Sequence, residues 1–360
     1  MRGTDLRKFG GVVACGAMLL GGPAASGGDA AGVGVTAAAR AADAALRAPV
    51  LGYVAAGSPP ALRPILGFPG AAALGGALEI QPEPALLAVP PGQALVLIGR
   101  GPSKGLAYAQ IGAAGLGAET EIEGAVEGAD RAVFSPSGAS AVVSSAQAGR
   151  LQVLTGFPAE PHVAYEIDAS GFAANVRSLA VSDDGSFVLA GISDGVTGAV
   201  RLYAKDRDPV PLLQAGNPAV VRLSEDSARA VVVDTALNQV TVLEGFGSEV
   251  RARVFPAAAD GEGAGPDDAL LPAGGKRLCI LFASRNEARI VDLDNGVMAR
   301  TSFGGGAVDA GRLAQSGLTV RTSADGRSVW LVDFSAAEPQ SRYVPTLPAA
   351  ADGNAQEVVK

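Results

Sequence analysis

An all-β fold assembled from repeats of one antiparallel unit is what this sequence predicts, and three observations predict it. The stretch Ser178–Asp206 holds an apolar strand (SLAVS), an Asp-Gly turn, a second apolar strand (SFVLA), a polar loop and a third strand (AVRLYA). The same pattern recurs, with third strands starting at Leu51, Leu106, Leu151, Val200, Val240, Ala288 and Val329. The five spacings from Leu106 to Val329 average about 45 residues, the length of one four-stranded propeller blade. Finally, 49 glycines and 23 prolines punctuate a chain of 360 residues, which suits many short strands joined by turns rather than long helices.

Each element has a local reason. Second strands precede the third ones from Leu106 onward: ALVLI from Ala94, SAVVS from Ser140, FVLA from Phe187, AVVVD from Ala230, LCIL from Leu278 and LTVRT from Leu318. They are apolar at consecutive positions, without the alternation of a sheet that has one wet face. A blade packed between two neighbours asks for that pattern in its middle strands. Ahead of them lie turns at Pro91-Gly92, Ser135–Gly138, Ser182–Gly185, Ser224–Ser227, Ala273-Gly274-Gly275 and Ser316-Gly317. Gly, Asp and Asn supply the positive φ that short hairpins need, and Ser or Asp side chains bond the turn backbone. Third strands carry Gly52, Ala107, Gln152, Arg201, Thr241, Arg289 and Trp330 at their second positions, so polarity is expected to return toward the outside of the blade.

The expected architecture is therefore a β-propeller of four-stranded blades spanning residues 50–348, with seven blades favoured over six. Ring closure is expected to be irregular. The first unit, LGYV then LRPIL, reads as lacking its first two strands, and too few residues follow Pro348 to supply them. Six full blades plus a hairpin is the alternative. Closure matters because it removes exposed sheet edges.

The ends are of a different character. Arg2, Arg7 and Lys8 precede the apolar run Gly11–Gly22, and small residues follow at Pro23–Gly27. This is the layout of a secretory signal peptide, assigned to residues 1–26, and it is too short for a permanent span. Val12–Cys15 is similar to a lipobox, but the strongest apolar residues (Met18, Leu19, Leu20) follow Cys15, so lipid anchoring there ranks below secretion to the periplasm or beyond. Residues 27–49 form an Ala/Gly-rich linker, and residues 349–360 a polar tail.

The repeats SDDGSFVLA, AVRLYAKD and ARIVDLDNG resemble those of YVTN-type, TolB-like and tryptophan–aspartate propellers of bacteria. In those families a Ser-Pro-Asp-Gly turn joins the first two strands and an acidic residue closes the third. Asp292 and Asp333 match that acidic position, and Glu244 matches it in part. The resemblance implies the fold and leaves the function open.

Chemistry-bearing residues are sparse. A net charge of -8 without a clustered basic face argues against nucleic acid as the partner. His162 is the only histidine and reads as a surface loop residue between two units, so a histidine-rich metal site is excluded. Asp260–Asp268 (DGEGAGPDD) lacks the alternating ligands of an EF-hand and reads as a solvated loop. Gly67–Gly76 and Gly112–Gly117 lack dinucleotide spacing and read as linkers between blades. Trp330, Tyr53, Tyr108 and Tyr203 read as third-strand packing residues, and Cys279 as an inert core residue. Lys104, Asp194, Arg285, Glu287 and Asp325 fall between second and third strands and read as ordinary solvated loop residues ahead of a ligand-binding rim on one face. No catalytic, metal or cofactor residue is assigned. The expected function is that of an exported, non-enzymatic propeller binding another protein of the cell envelope. A lactonase-like or quinoprotein-like enzyme working at the central funnel is the alternative.

Overall fold

Runs that are apolar on both faces must be covered on both faces, and the structure, a computed structural model, covers them by stacking sheets around a ring. It describes residues 49–347 apart from 113–114, 247–248, 257–264, 273, 303–306, 313–317, 324–328 and 334–339. The assignments of a signal peptide, a linker to residue 48, a lipobox at Cys15 and a tail from residue 349 lie outside the described residues, as do the turn residues Ala273, Ser316 and Gly317.

Six four-stranded antiparallel sheets follow one another along the chain. The first blade comprises Leu86–Ala88, Leu95–Gly99, Leu106–Gly112 and Gly115–Glu121. The second comprises Arg131–Phe134, Ser140–Ser145, Arg150–Thr155 and His162–Asp168, and the third Val176–Val181, Phe187–Ser193, Gly198–Ala204 and Val210–Ala215. The fourth runs through Pro218–Leu223, Arg229–Asp234, Gln239–Glu244 and Arg251–Pro256. The fifth uses Asp268–Leu270, Arg277–Phe282, Glu287–Asp292 and Met298–Ser302, and the sixth Ala307–Arg312, Leu318–Ser323, Val329–Asp333 and Gln340–Val344. In every blade the strands add from inner to outer in sequence order.

The propeller thus has six four-stranded blades rather than seven, and a three-stranded sheet, Val50–Ala56, Ala61–Phe68 and Ala71–Leu74, accompanies them. Leu51, Val54, Ile65 and Leu74 of this sheet pack with Val329, Leu331 and Val344 of the sixth blade. On its other side Leu62 joins Leu87, Val96, Ile98 and Ala109 of the first blade. It therefore fills the gap between the last blade and the first. The run LGYV is its first strand and not a third strand as the repeat spacing expects, and among the described residues the sheet has three strands. The C-terminal residues pair with its last strand once: Thr346 bridges Leu74 in parallel, with Leu74 N–H donating to Pro345 O at 2.8 Å and Leu347 N–H to Leu74 O at 2.9 Å. Among the described residues this one rung joins the closing sheet to the C-terminal segment.

Burial grades outward. Second strands such as Leu95–Gly99 and Ser140–Ser145 are buried at every position, whereas the outer strand Gly115–Glu121 is exposed along its last five residues. The polar residues in third strands divide: Arg201 is exposed, as a return of polarity toward solvent expects, and three others are not. Gln152, Thr241 and Arg289 are buried. Gln152 accepts the Val126 N–H at 2.6 Å and donates to Gly124 O and to Glu166, binding the loop between the first and second blades to its own sheet. Arg289 lies over the Phe282 ring and pairs with Glu287. Gln152 and Arg289 are tolerated there because their polar groups find partners, whereas the Thr241 hydroxyl is buried without a hydrogen-bond partner among the described residues.

The turn between inner and second strands is one device used three times. Ser182 N–H donates to Phe187 O and its hydroxyl accepts Phe187 N–H, both at 3.1 Å; Asp184 then accepts the Ser182 hydroxyl at 2.7 Å and the Ser186 N–H at 2.9 Å. Ser224 and Asp226 repeat this around Arg229, and Ser135 repeats its first half around Ser140. Gly185 takes φ +68°, where an added Cβ would also meet the Thr155 side chain. Ser227 holds the same left-handed place at φ 53° without being glycine. The device links blades as well: Asp183 accepts the N–H and hydroxyl of Ser137 from the preceding blade at 2.8 and 2.7 Å.

Candidate functional site: the central channel

Inner strands line the axis of a propeller, so any charge they carry is held inside a narrow, low-dielectric space. A cavity of about 550 Å³ opens here, bounded by Tyr53–Ala55 of the closing sheet and by the inner strands of the first five blades. Its wall is mainly Val, Leu and Ala, with Arg131, Arg177, Arg222 and Asp268 as its charged members. Each stands two to five residues ahead of the turn that ends its inner strand. Side chains of the sixth blade's inner strand fall outside those described.

The four charges are not equivalent. Arg222 grips Asp268 of the next blade with two bonds, Nε to Oδ1 at 3.0 Å and Nη2 to Oδ2 at 3.2 Å. The Asp268 side chain is 1% exposed and also accepts its neighbour's N–H from Ala269 at 2.8 Å, so its charge is fully answered. Arg177, exposed into the channel mouth, gives its Nε–H to Ser193 O at 3.1 Å. Arg131 is half-buried, and its Nη1 has no hydrogen-bond partner among the described residues. Burial holds the Arg131 guanidinium below its ordinary pKa; Asp130 works against that shift and the like charge of Arg177 works with it.

The uncharged polar groups of the wall are committed to structure. Ser178 donates its hydroxyl to Pro218 O at 2.7 Å, and the Ser135 hydroxyl accepts Ser140 N–H. Tyr53 N–H donates to Gln93 Oε1 at 2.6 Å, tying the closing sheet to the first blade's turn, where Gln93 sits at φ 56°. Burial raises the Tyr53 phenol above its ordinary pKa.

His162 lies away from this site. It is not in a loop between units but opens the outer strand of the second blade, exposed, with Nδ1 beside Glu160 O at 3.0 Å and Nε2 beside Thr155 Oγ1 at 3.3 Å. The acidic stretch Asp260–Asp268 is corrected at its end. Asp260 lies outside the described residues, but Asp268 is a buried strand residue of the channel, and Asp267 accepts the Ala283 N–H. Gly67 and Gly112 lie within sheets, pairing with Ala72 and Gly115 inside hairpins, while Gly75 and Gly76 lie in the connection from the closing sheet to the first blade, as the linker reading expects.

Among the rim charges, Lys104 is exposed, Asp194 accepts the N–H groups of Val196 and Thr197, and Arg285 stacks on Phe282 at 4.0 Å. Glu287 is the first residue of a third strand and pairs with Arg289, and Asp325 lies outside the described residues. Trp330 packs on Tyr343 and Tyr203 on Phe172, Tyr108 is partly buried in the core of the first blade, and Cys279 is buried. Asp292 closes its strand by accepting the N–H groups of Asp294 and Asn295, as the family resemblance implies. Among the described residues no three His, Cys, Asp or Glu side chains come together as a metal-binding group, and no helix is long and apolar enough to cross a membrane.

Sequence inspection missed the channel set because it weighed loops and histidines. The signal was available: a charged residue shortly before the turn in DRAVFSPSG, VRSLAVSDDG, VRLSEDS and DALLPAGG.

No protein-family model matches the chain, and no curated protein matches it. Solved structures do. The periplasmic gluconolactonase of Pseudomonas aeruginosa is 17% identical with a TM-score of 0.56, over 82% of this chain and 96% of that one. The hydrazine synthase of Kuenenia stuttgartiensis is 14% identical with a TM-score of 0.53, over 84% and 98%. A protein of unknown function from Desulfotomaculum acetoxidans is 12% identical with a TM-score of 0.53, over 79% and 96%. At these identities the likeness establishes the β-propeller fold alone, and one fold hosts many functions.

Proposed function

We propose that this protein is a binding propeller whose site is the central channel, and that it binds its ligand there without transforming it. The observation that carries the reading is the composition of the channel wall. Its charged members are arginines and one aspartate already locked in an ion pair, its serine hydroxyls are spent on backbone, and the histidine that could act as a base sits on an outer strand. A cavity of about 550 Å³ with a wall of mixed apolar and polar surface has the size of a small-molecule site. The proposal departs here from the envelope-protein partner expected from sequence, because such a space admits a small molecule and not a protein surface.

The test is turnover. Incubation with gluconolactone and 6-phosphogluconolactone is expected to give hydrolysis no faster than buffer. Hydrolysis that is lost in Arg131→Gln or Arg177→Gln would overturn the reading in favour of the second one, a lactonase-like enzyme. That second reading draws its support from the fold shared with a gluconolactonase and from arginines in the funnel.

Export is part of the proposal and rests on the N-terminal sequence. Intact-mass measurement of the protein from its native cells is expected to place the first residue near Ser26. A lipidated Cys15 at the terminus would replace secretion by anchoring, and a chain retaining residues 1–26 would overturn export.

A further inference from the structure

We infer that the channel binds an organic oxyanion, a carboxylate or phosphate head on an apolar body, with the head held between Arg131 and Arg177. The inference rests on the channel being a binding site and names what it binds. Three arginines line the cavity, but they divide two ways. Arg222 is neutralised by Asp268. Arg131 and Arg177 make no ion pair among the described residues, and the carboxylate nearest in sequence, Asp130, is engaged elsewhere. Its two oxygens accept the Ser144 hydroxyl and the Ala146 N–H, each at 2.6 Å.

A guanidinium placed in an apolar wall with a buried, unanswered N–H is unfavourable, and a second guanidinium in the same cavity makes it more so. The depressed pKa of Arg131 records both effects. Folding keeps this arrangement where a neutral side chain would be easier to bury. An oxyanion between the two arginines answers both charges at once, through the forked geometry that suits carboxylate and phosphate. The rest of the wall specifies the rest of the ligand. On the closing-sheet side Val54, Ala55, Leu87 and Ala88 line the cavity beside Tyr53 and Gln93, which leaves room for a mainly apolar body opposite the head.

The experiment is calorimetric titration of the full chain with octyl phosphate, octanoate and octanamide, which share a tail and differ in the head. Octyl phosphate or octanoate is expected to bind at least tenfold more tightly than octanamide, and which of the two leads tells phosphate from carboxylate. Arg131→Gln and Arg177→Gln are each expected to weaken the charged probe tenfold or more, while Arg150→Gln, on the outer surface, leaves it unchanged. Because Arg131→Gln also removes a half-buried charge that carries an unpartnered N–H, its ligand-free melting temperature is expected to stay level or rise, which separates lost recognition from lost folding. Equal binding of octanamide and octanoate, unaffected by the arginine substitutions, would overturn the inference and leave the channel a plain apolar binding site. Binding of none of the three would overturn it too. Lactone turnover, by contrast, would sink the binding reading itself.

Discussion

Leu74→Ala is the sharpest probe of how the ring closes. Leu74 ends the closing sheet, is 0% exposed, and packs among Leu51, Val54, Ile65 and the sixth-blade residues Val329, Leu331 and Val344. Its two hydrogen bonds to the C-terminal segment run through the main chain, so truncating the side chain leaves them in place and tests packing alone. Three carbons are removed, worth about 2.4 kcal/mol by transfer, and the cavity left behind brings the cost to about 3 kcal/mol. For a domain of this size that lowers the melting temperature by about 6 °C. Leu189→Ala, in the second strand of the third blade and also 0% exposed, is the internal reference. Urea unfolding of both variants at constant m should give losses within about 1 kcal/mol of each other. A cost below about 1 kcal/mol for Leu74→Ala, beside a full cost for Leu189→Ala, would refute the reasoning: the closing sheet would then open without the rest.

Further outcomes follow from the turns and the channel. Hydrogen bonds from the Ser186 N–H and then the Ser182 hydroxyl lower the Asp184 pKa, and those from the Ser224 hydroxyl and the Ala228 N–H lower that of Asp226. Carboxylates whose folded pKa lies below the unfolded value stabilise above pH ~4 and lose that contribution as pH falls through the folded value. Wild-type melting temperature should therefore fall more steeply below pH ~4 than that of Asp184→Asn/Asp226→Asn; identical slopes would contradict the assignment. Ser227→Gly relieves a left-handed φ of 53° and, losing only the 3.4 Å contact from Asp183 N–H, should stabilise by about 0.5 kcal/mol in urea titrations, whereas Gly185→Ala should destabilise by about 1 kcal/mol or more. Arg222→Ala strips a carboxylate that is 1% exposed of its counter-charge and should cost about 2 kcal/mol, less than for a fully buried pair because the Arg222 side chain is 33% exposed. A loss under 0.5 kcal/mol in the same titration would deny the pair its structural role.

The blade pattern was legible because it depends on neighbours in sequence. Consecutive apolar residues in Leu95–Gly99 and the Ser-Asp turns at Ser182 and Ser224 carry their reasons locally. Outer strands were less so: Gly115–Glu121 is exposed along its last five residues, and only the alternating Val163, Tyr165 and Ile167 of His162–Asp168 carry an apolar signature. The closing sheet misled for a related reason: LGYV resembles a third strand in composition, and only its packing against both ends of the ring makes it an inner one. The candidate site was the least legible part. Arg131, Arg177, Arg222 and Asp268 are separated by about 45 residues each and meet only when the inner strands converge on the axis. Asp268 also ends an acidic glycine-rich run, which masks the charged position shortly before the turn that it shares with the three arginines.

A crystal structure of the full chain soaked with octyl phosphate tests the central claim most directly. The phosphate is expected within hydrogen-bonding distance of both Arg131 and Arg177, with the alkyl tail along the channel wall. Phosphate bound on the blade surface with the channel arginines untouched would contradict it.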